Sequence, residues 1–455
     1  MLSNADWDVI VVGAGVSGCM AAVAAARNGA KTLLVERDAC LGGTLSNSMV
    51  GPMMTFHSDT EQVVGGLAQE VVDRLVALGG SPGHILDSTG YVKTITPFDH
   101  EILKLVLQRM VLESGASVLL HSLVEAVIMD VNFLKGIEVR NKGGQEKLLA
   151  QRFVDASGDG DVSFLAGAPW QLGRLSDGLP QPVSLIFKLT DVDLDTLKAY
   201  LIEHPEVARL GDAGVDIYNN QKLIAVCAFN TLFQDWISTH GLKLQREHVL
   251  VFSANHPNDV IVNMTRAQDV NPLNAWDLTR AELETREQIF AITEFLTQKI
   301  PGFANARLIS SGNRIGVRES RRIMGEYVLD ALDIKNECRF PDAIARSAYP
   351  IDIHAPSRGE DHEDVFLRKG AFYEIPYRCL VPLKVENLLI SGRCISTTHE
   401  ANASTRVSPN CMAIGQAAGT ASALSIREHV SPRYLDVKAL QKVLVSQQAL
   451  LGPIA

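Results

Sequence analysis

The chain has 455 residues, enough for two or three domains. Hydrophobic residues make up 46% and charged residues 21%, the balance of a globular enzyme rather than of a disordered or fibrous chain. A formal net charge of -10 argues against nucleic acid as the main partner.

The start, MLSNADWDVIVVG, has neither a basic n-region nor a cleavage site, so a cytoplasmic location is expected. Residues 8–36 then read as strand, tight turn, helix and parallel strand. An apolar β-branched run leads into Gly13, Gly15 and Gly18, spaced G-x-G-x-x-G. Gly13 permits the tight turn, Gly15 lets backbone approach a pyrophosphate, and Gly18 lets helix and strand pack closely. The helix N-terminus offers free N–H groups to phosphate. Glu36 ends the second strand about 20 residues on, where a carboxylate can accept hydrogen bonds from a ribose diol. These features point to a dinucleotide site. A glycine-rich turn without ligand is the bland alternative. A membrane span is another, since residues 9–26 carry no charge, but three turn glycines, Asp8, Arg27 and marginal length oppose it.

Gly42 and Gly43 form a flexible turn in an otherwise apolar segment. Helices are expected over 65–79, with Leu67, Val71, Val72, Leu75 and Leu78 on one side, and over 99–114. Strands are expected over 117–120, 123–129, 134–139 and 147–154, the last two joined as a hairpin through Asn141-Lys-Gly-Gly144. The segment DASGDGD (155–161) again runs from an apolar strand into a Gly/Asp turn.

From 171 to 342 the texture changes. Strand-like runs at 183–189, 224–228, 248–252 and 260–264 alternate with polar helices. The longest helix, 277–298, has Leu278, Leu283, Ile289, Phe290, Ile292 and Phe295 as its expected apolar side. This segment reads as an inserted mixed α/β substrate or cap domain. Arg314, Arg318, Arg321 and Arg322 lie within nine residues; at least one is expected to contact a ligand or cofactor phosphate. Parallel-sheet texture returns at 387–393. Ser408 then reads as an N-cap and Pro409 as the first helical residue. A last helix is expected over 437–450.

Taken together these motifs resemble the FAD-dependent oxidoreductase family with a glutathione-reductase-type, Rossmann-like FAD-binding domain. The likeness runs through Gly13, Gly15, Gly18 and Glu36, Leu41-Gly-Gly43, DASGDGD and Gly316-Val-Arg-Glu-Ser-Arg-Arg322. It continues in Tyr349-Pro-Ile-Asp-Ile-His354, Ile375-Pro-Tyr-Arg378, Ser391-Gly-Arg-Cys394 and the helix from Met412 to Gly419. It implies an α/β fold with the FAD-binding domain in two parts, 1–170 and 343–455, around a substrate or cap domain at 171–342. It implies FAD, contacted by Gly13, Gly15, Val16, Ser17, Gly18, Glu36, Arg37, Gly42, Gly43, Thr44, Gly158, Asp159, Gly392, Arg393, Pro409, Asn410, Met412 and Gly415. The helix from Ser408 would point at the pyrimidine side of the flavin, where an anion develops on reduction.

Departures matter too. Disulfide reductases of this class carry a cysteine pair after the Gly–Gly turn, and residues 44–57 hold none. The seven cysteines include no C-x-x-C pair, so neither dithiol chemistry nor a zinc site is expected, and no metal is assigned. No second G-x-G-x-x-G follows a strand, so an external electron acceptor or donor is required. The leading expectation is hydride transfer between a small polar metabolite and flavin N5, with a histidine taking the proton. His399 is the first candidate, His354 the second, and His57 a third. Tyr377 and Arg378 would orient the substrate. The alternatives are a flavin monooxygenase, an NAD(P)H-dependent reductase, or a flavin-binding protein without turnover. No membrane span is expected; a homo-oligomer is possible.

Overall fold

The computed structural model describes residues 6–242, 244, 246–357, 359–360 and 362–452. The first sheet begins with β1 (Trp7–Val12), followed by helix α1 (Val16–Arg27) and β2 (Thr32–Val35). It is extended by β3 (Ser117–Leu119), β4 (Leu123–Asp130), β5 (Phe133–Asn141) and β6 (Gly144–Asp155). The spatial order is β3-β2-β1-β6-β5-β4. β1 is apolar at successive positions because both its faces are covered. Val9 and Val11 join the core that contains α1, whereas Ile10 and Val12 join a second core with Leu33, Val35 and Phe153. Parallel register sets Val12 level with Val35 on one side and with Asp155 on the other. The carboxyl ends of three strands therefore finish together. The expected hairpin is present, with Asn141 paired to Gly144. The helix His100–Glu113 starts where Asp99 accepts hydrogen bonds from the Glu101 and Ile102 amides.

A second sheet is antiparallel. Its strands are β7 (Phe187–Thr190), β8 (Ala225–Ala228), β9 (Val249–Ser253), β10 (Val260–Val262) and β11 (Arg307–Ser311). The order is β8-β9-β10-β7-β11. Helix α2 (Ala275–Lys299) closes its core with Ile289, Ile292, Phe295 and Leu296. Two expected members of that apolar side are exposed, Leu283 at 65% and Phe290 at 63%. Phe290 lies about 100° around the helix from Ile289, which takes it off the buried stripe. The strand expected from 183 is confined to β7, and Val183 and Ser184 form single bridges to Ala267 and Gly316.

The chain then forms an antiparallel pair, β12 (Ile351–Ile353) with β13 (Glu363–Val365). It re-enters the first sheet as β14 (Leu388–Ile390), parallel to β6, with Ile390 opposite Asp155. Helix α3 (Ser408–Arg427) packs on α1. A side-chain carbon on Gly415 would lie 2.1 Å from the Ser17 carbonyl oxygen, and one on Gly419 would lie 2.0 Å from that of Ala21. The last helix is shorter than expected, Val437–Ser446. Among the described residues, no helix is long and apolar enough to cross a membrane.

Candidate active site

A cavity of about 520 Å³ opens where the aligned strand ends meet the second sheet. One part of its wall is the turn after β1. Gly13 has φ +95, and a side-chain carbon there would lie 2.4 Å from the Ala156 carbonyl oxygen, so only glycine fits. Gly15 meets nothing within 4 Å at the same test and leaves the backbone open to a ligand. No side chain caps α1, and its first turn carries no acid. Its free N–H groups are therefore available to an anion.

DASGDGD is organised by Asp155. This buried carboxylate accepts from the amide and hydroxyl of Ser157 through one oxygen and from those of Ser163 through the other. Asp159 then projects into the cavity wall beside Arg393, 2.6 Å away, and Arg37, 3.5 Å away. Burial favours the neutral carboxyl, but these two guanidinium groups hold its pKa below its ordinary value. Its neighbour Asp161 is pushed up to about 6 by burial and by Asp159 and Asp155.

Helix α3 begins one residue earlier than expected. Val407 is the N-cap, no side chain caps the end, and the first turn holds no acid. Val407, Ser408 and Cys411 line the cavity. Two helix N-termini thus face one chamber without internal neutralisation.

Of the expected cofactor contacts, Gly13, Gly15, Val16, Ser17, Glu36, Arg37, Gly43, Thr44, Gly158, Asp159, Gly392 and Arg393 line this cavity. Gly18, Gly42, Pro409, Asn410, Met412 and Gly415 do not. Gly18 and Gly415 serve close packing, against Gly13 and Ser17 respectively. Asn410 turns back to the Ser347 hydroxyl, and Met412 is fully buried in the core. Glu36 lines the wall with both oxygens engaged, by the Ala14 amide at 2.5 Å and the Asp38 amide at 2.9 Å.

The structure separates the three candidate histidines. His399, the first candidate, lies outside the cavity wall. Its Nδ1 is 2.7 Å from the Glu319 carboxylate, and burial together with Arg322 pushes it down to about 4. Tyr377 is also in the interior and donates to the Pro432 carbonyl. Arg378 pairs with Asp342 at 2.9 Å. Neither lines the cavity. His57 bonds the Thr94 hydroxyl and also stands outside it. Of the three candidate histidines only His354 is in the wall.

His354 belongs to a constellation the sequence reading missed. On the β12–β13 pair, Asp352 stands directly opposite Asp364. His354 and His362 flank them, with ring centroids 4.7 Å apart. All four line the cavity. His362 Nε2 is 2.9 Å from Asp364 Oδ1 and 3.3 Å from Asp352 Oδ1. His354 Nε2 is 3.3 Å from the same Asp352 oxygen. Tyr349 donates to Asp352 Oδ2 at 3.0 Å, and Tyr91 donates to Asp364 at 2.5 Å.

The partners assign the tautomers. His362 Nε2 faces two carboxylates and carries the proton, so Nδ1 holds a lone pair. That Nδ1 is buried and, among the described residues, has no hydrogen-bond partner. His354 Nδ1 faces Arg266 Nη2 at 3.3 Å, which can only donate, so its Nε2 carries the proton toward Asp352. Burial holds His354 well below its ordinary value despite Asp352.

Asp352, His354 and His362 offer ligand atoms within 4.8 Å of one another, a spacing that could hold a cation. The surroundings oppose one. A metal-bound imidazole donates its second N–H to an acceptor, whereas the second nitrogen of His354 meets a guanidinium. Arg406 also lies 3.3 Å from Asp352.

Of the four clustered arginines, Arg314 and Arg318 line the cavity. Arg321 pairs with Asp161 at 3.0 Å, and the buried Arg322 pairs with Glu319 and donates to the Gly173 carbonyl.

Several known proteins are similar to this chain. The tRNA uridine 5-carboxymethylaminomethyl modification enzyme MnmG of Pelobacter propionicus is 30% identical over 155 residues, 31% of this chain and 23% of that protein. MnmG of Lactobacillus delbrueckii subsp. bulgaricus (strain ATCC BAA-365 / Lb-18) is 46% identical over 85 residues, 18% of this chain and 11% of that protein. The chain thus spans about a quarter or less of these curated relatives. A geranylgeranyl bacteriochlorophyll reductase-like structure from Thermoplasma acidophilum is 13% identical with a TM-score of 0.49, covering 98% of this chain and 84% of that one. The FAD dependent oxidoreductase family itself matches residues 8–444. The glycine cradle and two uncapped helix ends fit a dinucleotide with an anionic centre, so the chain belongs to the FAD dependent oxidoreductase family, and it is an enzyme with FAD as its cofactor.

Proposed function

We propose that this enzyme is a dehydrogenase of a small polar metabolite, with the substrate seated between the flavin and the β12–β13 face. When bound, FAD supplies the two-electron sink, accepting a hydride at N5 from a substrate carbon that also bears an ionisable hydroxyl or amine. Gly13, Gly15, Ser17 and the open end of α1 would hold the pyrophosphate. Glu36 would meet the adenosine ribose, and Arg393 would lie near the ribityl chain. The 171–342 segment would cover the substrate.

The observation that carries the reading is the orphaned Nδ1 of His362. A buried nitrogen lone pair with no partner among the described residues, on a ring whose other nitrogen is anchored by two carboxylates, has the arrangement of a general base. His362 would take the substrate proton. Asp364 and Asp352 would orient the ring and stabilise the imidazolium that forms. His354, held neutral, would fix Asp352. Electrons would leave to an external acceptor.

Anaerobic absorbance spectroscopy tests this. A polar metabolite should bleach the flavin band, whereas NADPH should not. His362→Gln should slow that bleaching by about 10²- to 10⁴-fold with FAD content unchanged. Bleaching by NADPH alone, or an H362Q rate equal to wild type, overturns the proposal.

A further inference from the structure

The same chamber has an excess of guanidinium groups. Arg209, Arg246, Arg318 and Arg406 line it, with Arg266 directly behind. Among the described residues, the nearby carboxylates are already engaged. Glu247 pairs with Arg266 at 3.1 Å. Asp364 accepts from Tyr91 and His362. Asp352 meets Tyr349, His354 and Arg406. Among the described residues, Arg209, Arg246 and Arg318 have no carboxylate within ion-pair distance.

Each of the three is held in place by uncharged groups. Arg246 is 3% exposed; it donates to the Asn263 carbonyl at 3.0 Å, and its buried Nε has no partner among the described residues. Arg318 donates to the Pro182 carbonyl and the Ser184 hydroxyl, both at 2.8 Å. Arg209 lies over the rings of Tyr91 and Phe366, 5.1 and 5.6 Å from their centroids. Burial and the neighbouring guanidinium of Arg266 bring Arg246 down to about 10. Burial and then Arg406, Arg266 and Arg246 hold Arg318 well below its ordinary value. These like charges repel across a partly desolvated wall, a state that is costly unless an opposite charge enters. Among the described residues, no carboxylate pairs with them.

We propose that the substrate is a metabolite with at least two carboxylates, one of them seated on Arg246 and Arg318. Arg209 meets the second. Three guanidinium groups without acid partners exceed what one carboxylate neutralises. Arginine's planar fork matches a carboxylate by two parallel hydrogen bonds, which fixes orientation as well as charge. This assignment rests on the reading of the cavity as a substrate chamber.

The test uses the FAD-loaded full chain and redox-inert probes. Malonate is titrated while the flavin absorbance is recorded, alongside its neutral diamide, malonamide, and inorganic phosphate. Malonate should produce a saturable spectral shift that weakens with added salt; malonamide should not, and phosphate should bind at least tenfold more weakly. Arg246→Gln and Arg318→Gln should each weaken malonate by about 30-fold or more, with Arg246→Lys intermediate and FAD content at wild-type level. Arg209→Gln, at a more open position, provides a second variant if Arg246→Gln does not fold. Equal binding of malonamide, phosphate binding as tight as malonate, or unchanged malonate affinity in R246Q and R318Q each overturns the proposal. Loss of FAD with intact malonate response would mean that the arginines serve the cofactor and would also overturn it. The two readings fail separately. Malonate binding that depends on the arginines, with no metabolite bleaching the flavin, refutes the dehydrogenase and leaves the anion site standing. A neutral polyol that bleaches the flavin while malonate does not compete does the reverse.

Discussion

Gly415→Ala tests how the chamber is assembled. α3 and α1 touch through glycine, and a methyl group on Gly415 would sit 2.1 Å from the Ser17 carbonyl oxygen. Ordinary contact begins near 3.5 Å, so the helices must part by about 1.4 Å there. The obstacle is backbone, which no rotamer change can relieve. Overpacking a tight core costs about 1–3 kcal/mol, and this site should reach the upper end. Ser17 lies in the first turn of α1, whose N-terminus lines the cavity, so the strain should reach FAD as well. Gly419→Ala makes the same kind of clash, 2.0 Å from the Ala21 oxygen, but one turn farther from both helix ends. The expected outcome is that both variants lower the thermal midpoint by roughly 5 °C, while only G415A loses FAD on desalting. Flavin-to-protein absorbance ratios and differential scanning fluorimetry read the two effects. A G415A protein that melts and retains FAD like wild type would refute the close-packing account.

Two further predictions concern the buried network beneath the site. Arg322→Met leaves the fully buried Glu319 without its guanidinium, and stability should fall by about 3–5 kcal/mol; a urea midpoint within error of wild type would contradict it. His100 and His399 are both held down to about 4, chiefly by burial. The unfolded chain protonates them below about 6.5, whereas the fold resists until near 4. Stability that is complete at pH 7 should therefore drain away between those values as pH falls, by on the order of 3 kcal/mol for each histidine. Denaturation midpoints at pH 7 and 4.5 should differ by less in His100→Gln, and an identical difference would remove His100 from the account.

The nucleotide half was legible because its signals are local. Gly13, Gly15 and Gly18 follow a strand that is apolar at successive positions, and Glu36 ends the next. Backbone contact and two-sided burial dictate those residue types with little help from the rest of the fold. The reacting half is assembled across distance. Asp352 and His354 leave one strand, His362 and Asp364 another, and Arg209, Arg246, Arg318 and Arg406 come from separate segments. One signal was present: D-x-H at 352–354 followed by H-x-D at 362–364. Mirrored on antiparallel strands, those spacings set aspartate against aspartate and histidine beside histidine. His399 was expected near the flavin because it precedes α3. It instead opens the short helix His399–Thr405, and its ring meets Glu319. The charged run 314–322 divides between wall and interior, which no periodicity reveals.

Asp352 opposite Asp364 is a poor choice for a folding sequence. Like charges directly across an antiparallel pair destabilise it, and burial adds to the cost. The chain offsets this with Tyr91, Tyr349, His354, His362 and Arg406, drawn from four separate stretches. Apolar residues at 352 and 364 would satisfy the same register without any of them. Expensive arrangements of this kind are retained where chemistry uses them. The donors also leave something over: among the described residues, His362 Nδ1 has no partner. In the proposed reading that nitrogen takes the substrate proton, and the aspartate pair sets the orientation of the ring.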